Sequence, residues 1–153
     1  MLENIVITDT SCLIVLSKLS ALDLLKGLYN QVSVTQDIAD EFGEELPNWV
    51  HIRQVKNKTY QELLEATLDR GESSAIALAL ELNNVLVVID DLKGRKEAQR
   101  LGLKITGTLG IIYAAKQKGL IAEIKPYIVL LQENDFRISP KIIDEILKLS
   151  NEL

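Results

Sequence analysis

The chain has 153 residues, long enough to bury one sizeable core and about the length of an ordinary single domain. Hydrophobic residues make up 47% and charged residues 25%, a globular profile, and no run of roughly eighteen apolar residues is present to span a membrane. A net charge of −5 excludes a protein that coats nucleic acid by bulk attraction, and the single cysteine, Cys12, excludes an internal disulfide.

The opening Met1-Leu2-Glu3-Asn4 lacks the basic start of a secretory signal, so the cytoplasm is the expected compartment. Ile5-Val6-Ile7-Thr8 reads as a buried first strand. Residues 11 to about 28 read as one helix, with Leu13, Leu16, Leu19 and Leu22 at helical spacing and Gly27 near its end. Val32-Ser33-Val34-Thr35 is a second strand, followed by a helix over about 36–44 that cannot pass Pro47. Residues 51–55 read as a short edge segment and 60–68 as helical. Gly71 reads as a break, after which an Ala- and Leu-rich helix runs over 72–82.

Val85-Leu86-Val87-Val88-Ile89, mostly β-branched, is the strongest strand and is expected at the centre of a sheet. A helix over 92–101 ends at Gly102, Lys104-Ile105-Thr106 is a short strand, and a helix over 108–118 stops at Gly119. Ser139-Pro140 opens a last helix, Ser as its cap and Pro at its first position. Strands alternating with helices predict an α/β fold with a mostly parallel sheet between helical layers, and no repeat or linker divides the chain.

Two acids stand where parallel sheets place their sites: Asp9 after the first strand and Asp90 after the strongest. If those strands are neighbours, the carboxylates converge. Taken singly, each acid has an ordinary explanation. Asp9 is as well placed to cap a helix as to bind a ligand, and Asp90 and Asp91 could share one capping role. Glu72 could be a first-turn acid favoured by the helix dipole, and Glu41 a solvated helix residue. The four together, set at strand ends and on helices of one α/β pattern, carry more weight.

This order resembles the PIN-domain nucleases. There an Asp ends the first strand before a small hydroxyl residue, an acid follows on an early helix, a third opens an Ala-rich helix, and a fourth ends the next strand. The matching segments are Val6-Ile7-Thr8-Asp9-Thr10-Ser11, the helix bearing Glu41, Gly71-Glu72-Ser73-Ser74-Ala75-Ile76-Ala77-Leu78-Ala79, and Val87-Val88-Ile89-Asp90-Asp91. The Leu101-Gly102-Leu103-Lys104-Ile105-Thr106-Gly107-Thr108-Leu109-Gly110 and Phe136-Arg137-Ile138-Ser139 segments resemble a prokaryotic PIN-like branch, so the likeness covers nearly the whole chain, read as a single domain over 1–153. The chain departs from the wider family in having Glu rather than Asp at 72 and Ile89 where relatives place a hydroxyl residue. Asp40 and Glu44 are alternatives to Glu41, and Asp91 to Asp90.

The resemblance implies a metal-dependent endoribonuclease. Clustered carboxylates repel one another, and a hard cation such as Mg²⁺ or Mn²⁺ relieves that repulsion. Asp9, Glu72 and Asp90 are the implied metal ligands, and Glu41 is implied to orient the attacking water. Ser11, Thr10 and Asp91 are implied to support the cluster. Lys93, Arg95 and Lys96, with Arg100, form either a solvated helix face or an RNA-holding rim. The resemblance further implies an RNA substrate, a homodimer, and an antitoxin protein as partner.

A phosphatase of the haloacid-dehalogenase type would need an acid at position 11, where Ser11 stands, and a receiver domain would need its acidic pair after the first strand. A PIN-like module that binds RNA or protein without cleaving is the stronger rival. Lone His51 beside Trp49 has no triad to join and reads as a surface or packing residue, and Cys12 as a small core residue. The helix over 108–118, with Leu109, Ile112, Tyr113 and Lys116, fits either core or interface.

Overall fold

The computed structural model describes residues 5–153; residues 1–4, on which the expected lack of a leader rests, lie outside the described residues. Five strands form one parallel sheet: β1 (Ile5–Thr8), β2 (Gln31–Thr35), β3 (Val50–Arg53), β4 (Val85–Val88) and β5 (Lys104–Thr106), in the order β3-β2-β1-β4-β5. The chain moves from β1 outward through β2 to β3, then returns past β1 to β4 and on to β5. The direction of winding therefore reverses between β1 and β4. Right-handed crossovers in opposite directions place helices on both faces, which gives three layers.

Among the described residues the helices are α1 (Thr10–Lys18), α2 (Asp23–Leu28), α3 (Gln36–Phe42), α4 (Lys58–Leu64), α5 (Arg70–Glu81), α6 (Leu92–Arg100), α7 (Thr108–Gln117), α8 (Lys125–Glu133) and α9 (Pro140–Leu149). None is long and apolar enough to cross a membrane. Helix α5 lies across β1, β2 and β4, while α2 packs on β2 and α7. Fully buried Val6, Ile7, Val34, Val87, Val88 and Ile76 fill the space around the sheet. A second apolar cluster joins Val15 and Ile112 to Ile124, Ile128, Leu131, Ile146 and Leu147 of the C-terminal helices.

Several expectations need correction. Residues 11–28 form two helices, because Ser20 adopts a left-handed backbone (φ 55°) and the Ala21 N–H turns back to the Leu16 carbonyl at 2.8 Å. This turn carries no Gly or Pro to announce it, and Leu19 and Leu22 pack against the core from either side of it. Gly71 does not break the chain. Asp69 caps α5 two residues earlier, its carboxylate accepting the Glu72 N–H at 2.7 Å, so Gly71 lies inside the first turn. The helix expected over 60–68 starts earlier, capped by Asn57, and ends at Leu64 in a turn.

The centre of the sheet is β1, with β4 beside it and buried between β1 and β5. Helix α8 is absent from the sequence reading: Pro126 stands in its first turn, but Ile124 before it offers no side-chain cap. Its first N–H groups, from Ile124 and Lys125, instead donate to the remote Glu152 carboxylate at 2.8 and 3.0 Å. Burial opposes that charge, but Lys116 Nζ and these backbone donors outweigh it and hold the Glu152 carboxyl at about 2. Helix α7 is core rather than a free face: Ile111, Ile112 and Ala115 are buried, and Lys116 bonds Ser150 and Glu152.

Candidate active site

Because β1 and β4 are parallel neighbours in register, with Thr8 beside Val88, the residues that follow them emerge together at the reversal point of the sheet. Asp9 takes an extended backbone at the end of β1 and serves two purposes at once. Its Oδ1 accepts the Cys12 N–H at 2.9 Å, capping α1, and its Oδ2 accepts the Asp90 N–H at 3.2 Å across the sheet. Only 3% of Asp9 is exposed. Burial first, and then the neighbouring Asp90 charge, push its carboxyl up to about 7. Capping and site membership are thus compatible in one residue.

Asp90 is held from another direction. Its Oδ1 accepts the Thr108 N–H at 2.8 Å and its Oδ2 the Thr108 hydroxyl at 2.6 Å. The adjacent Asp91 caps α6 through the Lys93 and Gly94 N–H groups and is exposed. The two aspartates therefore do different work.

Glu41 and Glu72 come from helices locked to each other. Thr35 caps α3, and its hydroxyl meets that of Ser74 on α5 at 2.6 Å; Ser74 in turn bonds the Gly71 carbonyl at 2.7 Å. Glu41 lies on the last turn of α3, with its carboxylate over Gly71: a Cβ at that position would stand 2.2 Å from Glu41 Oε1. Glu72 packs against Gly94 at the start of α6, where a Cβ would stand 3.1 Å from Glu72 Oε2. Asp90 has a similar neighbour in Gly107, where a Cβ would stand 2.7 Å from its Oδ1. Three of the four acids thus pack against a glycine that leaves room for the carboxylate.

Burial, with the Asp69 and Asp91 charges, pushes Glu72 up to about 7; partial desolvation, then Asp69 and Asp37, raises Glu41. Asp9, Thr10, Ser11, Ile14, Glu41, Asp69 and Glu72 line one cavity of about 190 Å³. Asp90 borders it only through its bond to Asp9. Glu44 lines a neighbouring groove and Asp40 bonds Gln36, so of the α3 acids it is Glu41 that reaches the cavity.

Asp69 is the acid that sequence reasoning missed. The signal was the Asp-x-x-Glu spacing of Asp69 and Glu72, a helix-start pattern obscured by treating Gly71 as a break. Removing the cap with Asp69→Ala is expected to cost about 1 kcal/mol of stability, with Asp69→Asn retaining most of it, as read by urea denaturation.

The basic residues divide. Lys93 and Lys96 are exposed, whereas Arg95 is half-buried and donates from Nη1 to the Ile89 carbonyl at 2.9 Å, at the end of β4. Cys12 is fully buried, and burial pushes its thiol upward, away from the reactive thiolate. His51 is exposed on edge strand β3, by a cavity shared with Tyr29 and Trp49 rather than with the acids.

A family model for the PIN domain matches residues 5–152. The chain belongs to the PIN-domain family. No curated protein matches it. Membership of this PIN domain in a family of nucleases sets aside the phosphatase and receiver alternatives. A hard divalent cation suits the donors of this PIN domain, which are all oxygens: raised carboxyls at Asp9 and Glu72, and a buried Thr10 hydroxyl that lies beside Glu41 without closing a full hydrogen bond. Among the described residues no three Asp, Glu, His or Cys side chains gather tightly enough to form a ready cage. Mg²⁺ does not require one, since it keeps several waters and binds few carboxylates.

Proposed function

We propose that this PIN domain is a metal-dependent endoribonuclease that hydrolyses RNA phosphodiester bonds at Asp9, Glu41, Glu72 and Asp90. One observation carries it. A buried aspartate at the reversal point of the sheet shares a cavity with two glutamates from separate helices, and its own carboxylate tethers a second strand-end aspartate. Asp9, Glu72 and Asp90 would hold Mg²⁺ or Mn²⁺, which supplies a more acidic water and neutralises charge on the phosphoryl oxygens. Glu41, the most exposed of the four, faces the cavity from α3 and orients the attacking water. Thr10 and Ser11 offer hydroxyls at the cavity wall, and Asp91 adds negative charge beside Glu72. Lys93 and Lys96 are free to meet RNA phosphates, while Arg95 is engaged at the strand end.

Family membership alone supports the remaining parts of the proposal: an RNA substrate, a homodimer, an antitoxin partner and a cytoplasmic setting.

The test is cleavage of mixed structured and single-stranded RNAs with Mg²⁺, Mn²⁺ or EDTA, beside an Asp9→Asn/Asp90→Asn variant. Cleavage that needs metal and vanishes in the variant supports the proposal. Because Asp9 and Glu72 titrate near 7 without metal, the rate is expected to fall as pH drops below about 7, up to about tenfold per unit for each essential proton. Raising Mg²⁺ should move that limb to lower pH, since metal and proton compete. The alternative is a binding module that does not cleave. RNA binding without cleavage or metal uptake would establish it.

A further inference from the structure

Helix α7 begins at Gly107, which has no side chain to cap it. The group at its N-terminus is instead the carboxylate of Asp90, from the far side of α6. A backbone cap needs one oxygen, yet Asp90 is gripped at both: Oδ1 by the Thr108 N–H at 2.8 Å and Oδ2 by the Thr108 hydroxyl at 2.6 Å. Two bonds from one residue fix the plane of the carboxylate as well as its position. Thr108 is fully buried, so neither bond is traded with solvent. Gly107 closes the space beside Oδ1, and Arg95 Nη1 stands 3.1 Å from where a Cβ at Gly107 would lie. The Asp9 side is fixed independently, by the Asp90 N–H.

We propose that Thr108 is a positioning residue for the reaction, its hydroxyl setting the orientation in which Asp90 presents its carboxylate to the metal. This rests on the assignment of Asp90 as a metal ligand made above. Helix α7 is thereby fastened to the site at its first turn.

The test compares Thr108→Val, which keeps the shape and the N–H but loses the hydroxyl, with Thr108→Ser, which restores it. Mn²⁺ affinity is measured by calorimetry and the Asp90 carboxyl by its ¹³C resonance, with melting temperatures to confirm folding. Thr108→Val is expected to weaken Mn²⁺ binding by about 10–100-fold and to shift the Asp90 resonance, Thr108→Ser to leave both near wild type, and Thr108→Val to add nothing in an Asp90→Asn background. An unshifted Asp90 resonance in Thr108→Val overturns the proposal whether or not metal binds. So does Mn²⁺ binding at wild-type strength in that variant, or failure of Thr108→Ser to restore it. A wild type that takes up no Mn²⁺ overturns both this proposal and the metal-ligand assignment. A shifted Asp90 resonance in Thr108→Val would then leave Thr108 with a structural role only.

Discussion

Replacing Asp9 with Asn is expected to stop cleavage, by ~10³-fold or more, while making the metal-free protein more stable at pH 8. Burial sets the sign. The Asp9 carboxyl titrates at about 7 in the folded chain against an ordinary 3.8, so folding favours its protonated form. The associated stability is fully present below about 4 and is lost as pH rises towards 7. An Asn at position 9 resembles the protonated acid: it still caps α1 through the Cys12 N–H, and it carries no charge beside Asp90. The gap between 3.8 and about 7 is worth about 4 kcal/mol, from which about 1–2 kcal/mol is offset because the Asn amide nitrogen cannot accept the Asp90 N–H and leaves it unpaired. A net gain of about 2–3 kcal/mol, or roughly 5–10 °C in melting temperature, is therefore expected at pH 8 in EDTA. At pH 5 most of the gain should be gone, and Mg²⁺ should narrow the difference at pH 8 by stabilising the wild type alone. Equal melting temperatures at both pH values would show that Asp9 is not under the strain its burial implies.

Gly71→Ala is expected to lower activity by about 10²-fold while changing stability by less than about 1 kcal/mol. The new methyl group would lie 2.2 Å from Glu41 Oε1, and the Thr10 hydroxyl is 3.3 Å away on the same side. The obstructing atom is the tip of a flexible and largely exposed side chain, so Glu41 swings aside and the fold survives. What is lost is the placement of that carboxylate over the cavity. The same change in a Glu41→Ala background should cost no further activity, and should raise stability by up to about 0.5–1 kcal/mol, because Ala then replaces Gly in a helix with only the Thr10 hydroxyl, 3.3 Å away, beside it. Kinetics and urea denaturation of the four proteins read both halves. A large stability loss in the single variant would place the obstruction in the backbone rather than at Glu41.

The sheet was legible because its strands carry their own signatures. Val85–Val88 and Ile5–Thr8 are apolar and β-branched, as strands buried on both faces must be. Asp9 directly after the second of these, and Asp90 separated by Ile89 from the end of the first, marked the place where two parallel neighbours end. Caps made by adjacent residues were also visible, as at Ser139 before α9. Whatever depends on distant residues was not. Helix α8 starts without a local cap because Glu152 provides one, and no window of sequence joins positions 124 and 152. The grip of Thr108 on Asp90 spans two elements in the same way. Ser20 turns the chain in a left-handed conformation that Ser seldom takes, with the packing of α1 and α2 outweighing local preference. Asp69 was within reach, since its spacing to Glu72 is local, but a glycine two residues into a helix looks from sequence like the boundary itself.

The fit of the acids against glycines also bears on how such a chain can change over generations. While Glu41 and Asp90 remain, Gly71 and Gly107 have no substitute that leaves them in place. Once Glu41 is lost, Gly71 is free to become Ala, and the helix is better for it. Restoring Glu41 afterwards would return a side chain to a space already taken. Gly94 is less free, because Ile89 crowds it as closely as Glu72 does, so its identity would outlast the chemistry. A descendant that had ceased to cleave would be recognisable by what fills positions 71 and 107 even if an acid later reappeared at 41 or 90, and the route back would be closed by a methyl group rather than by the missing carboxylate.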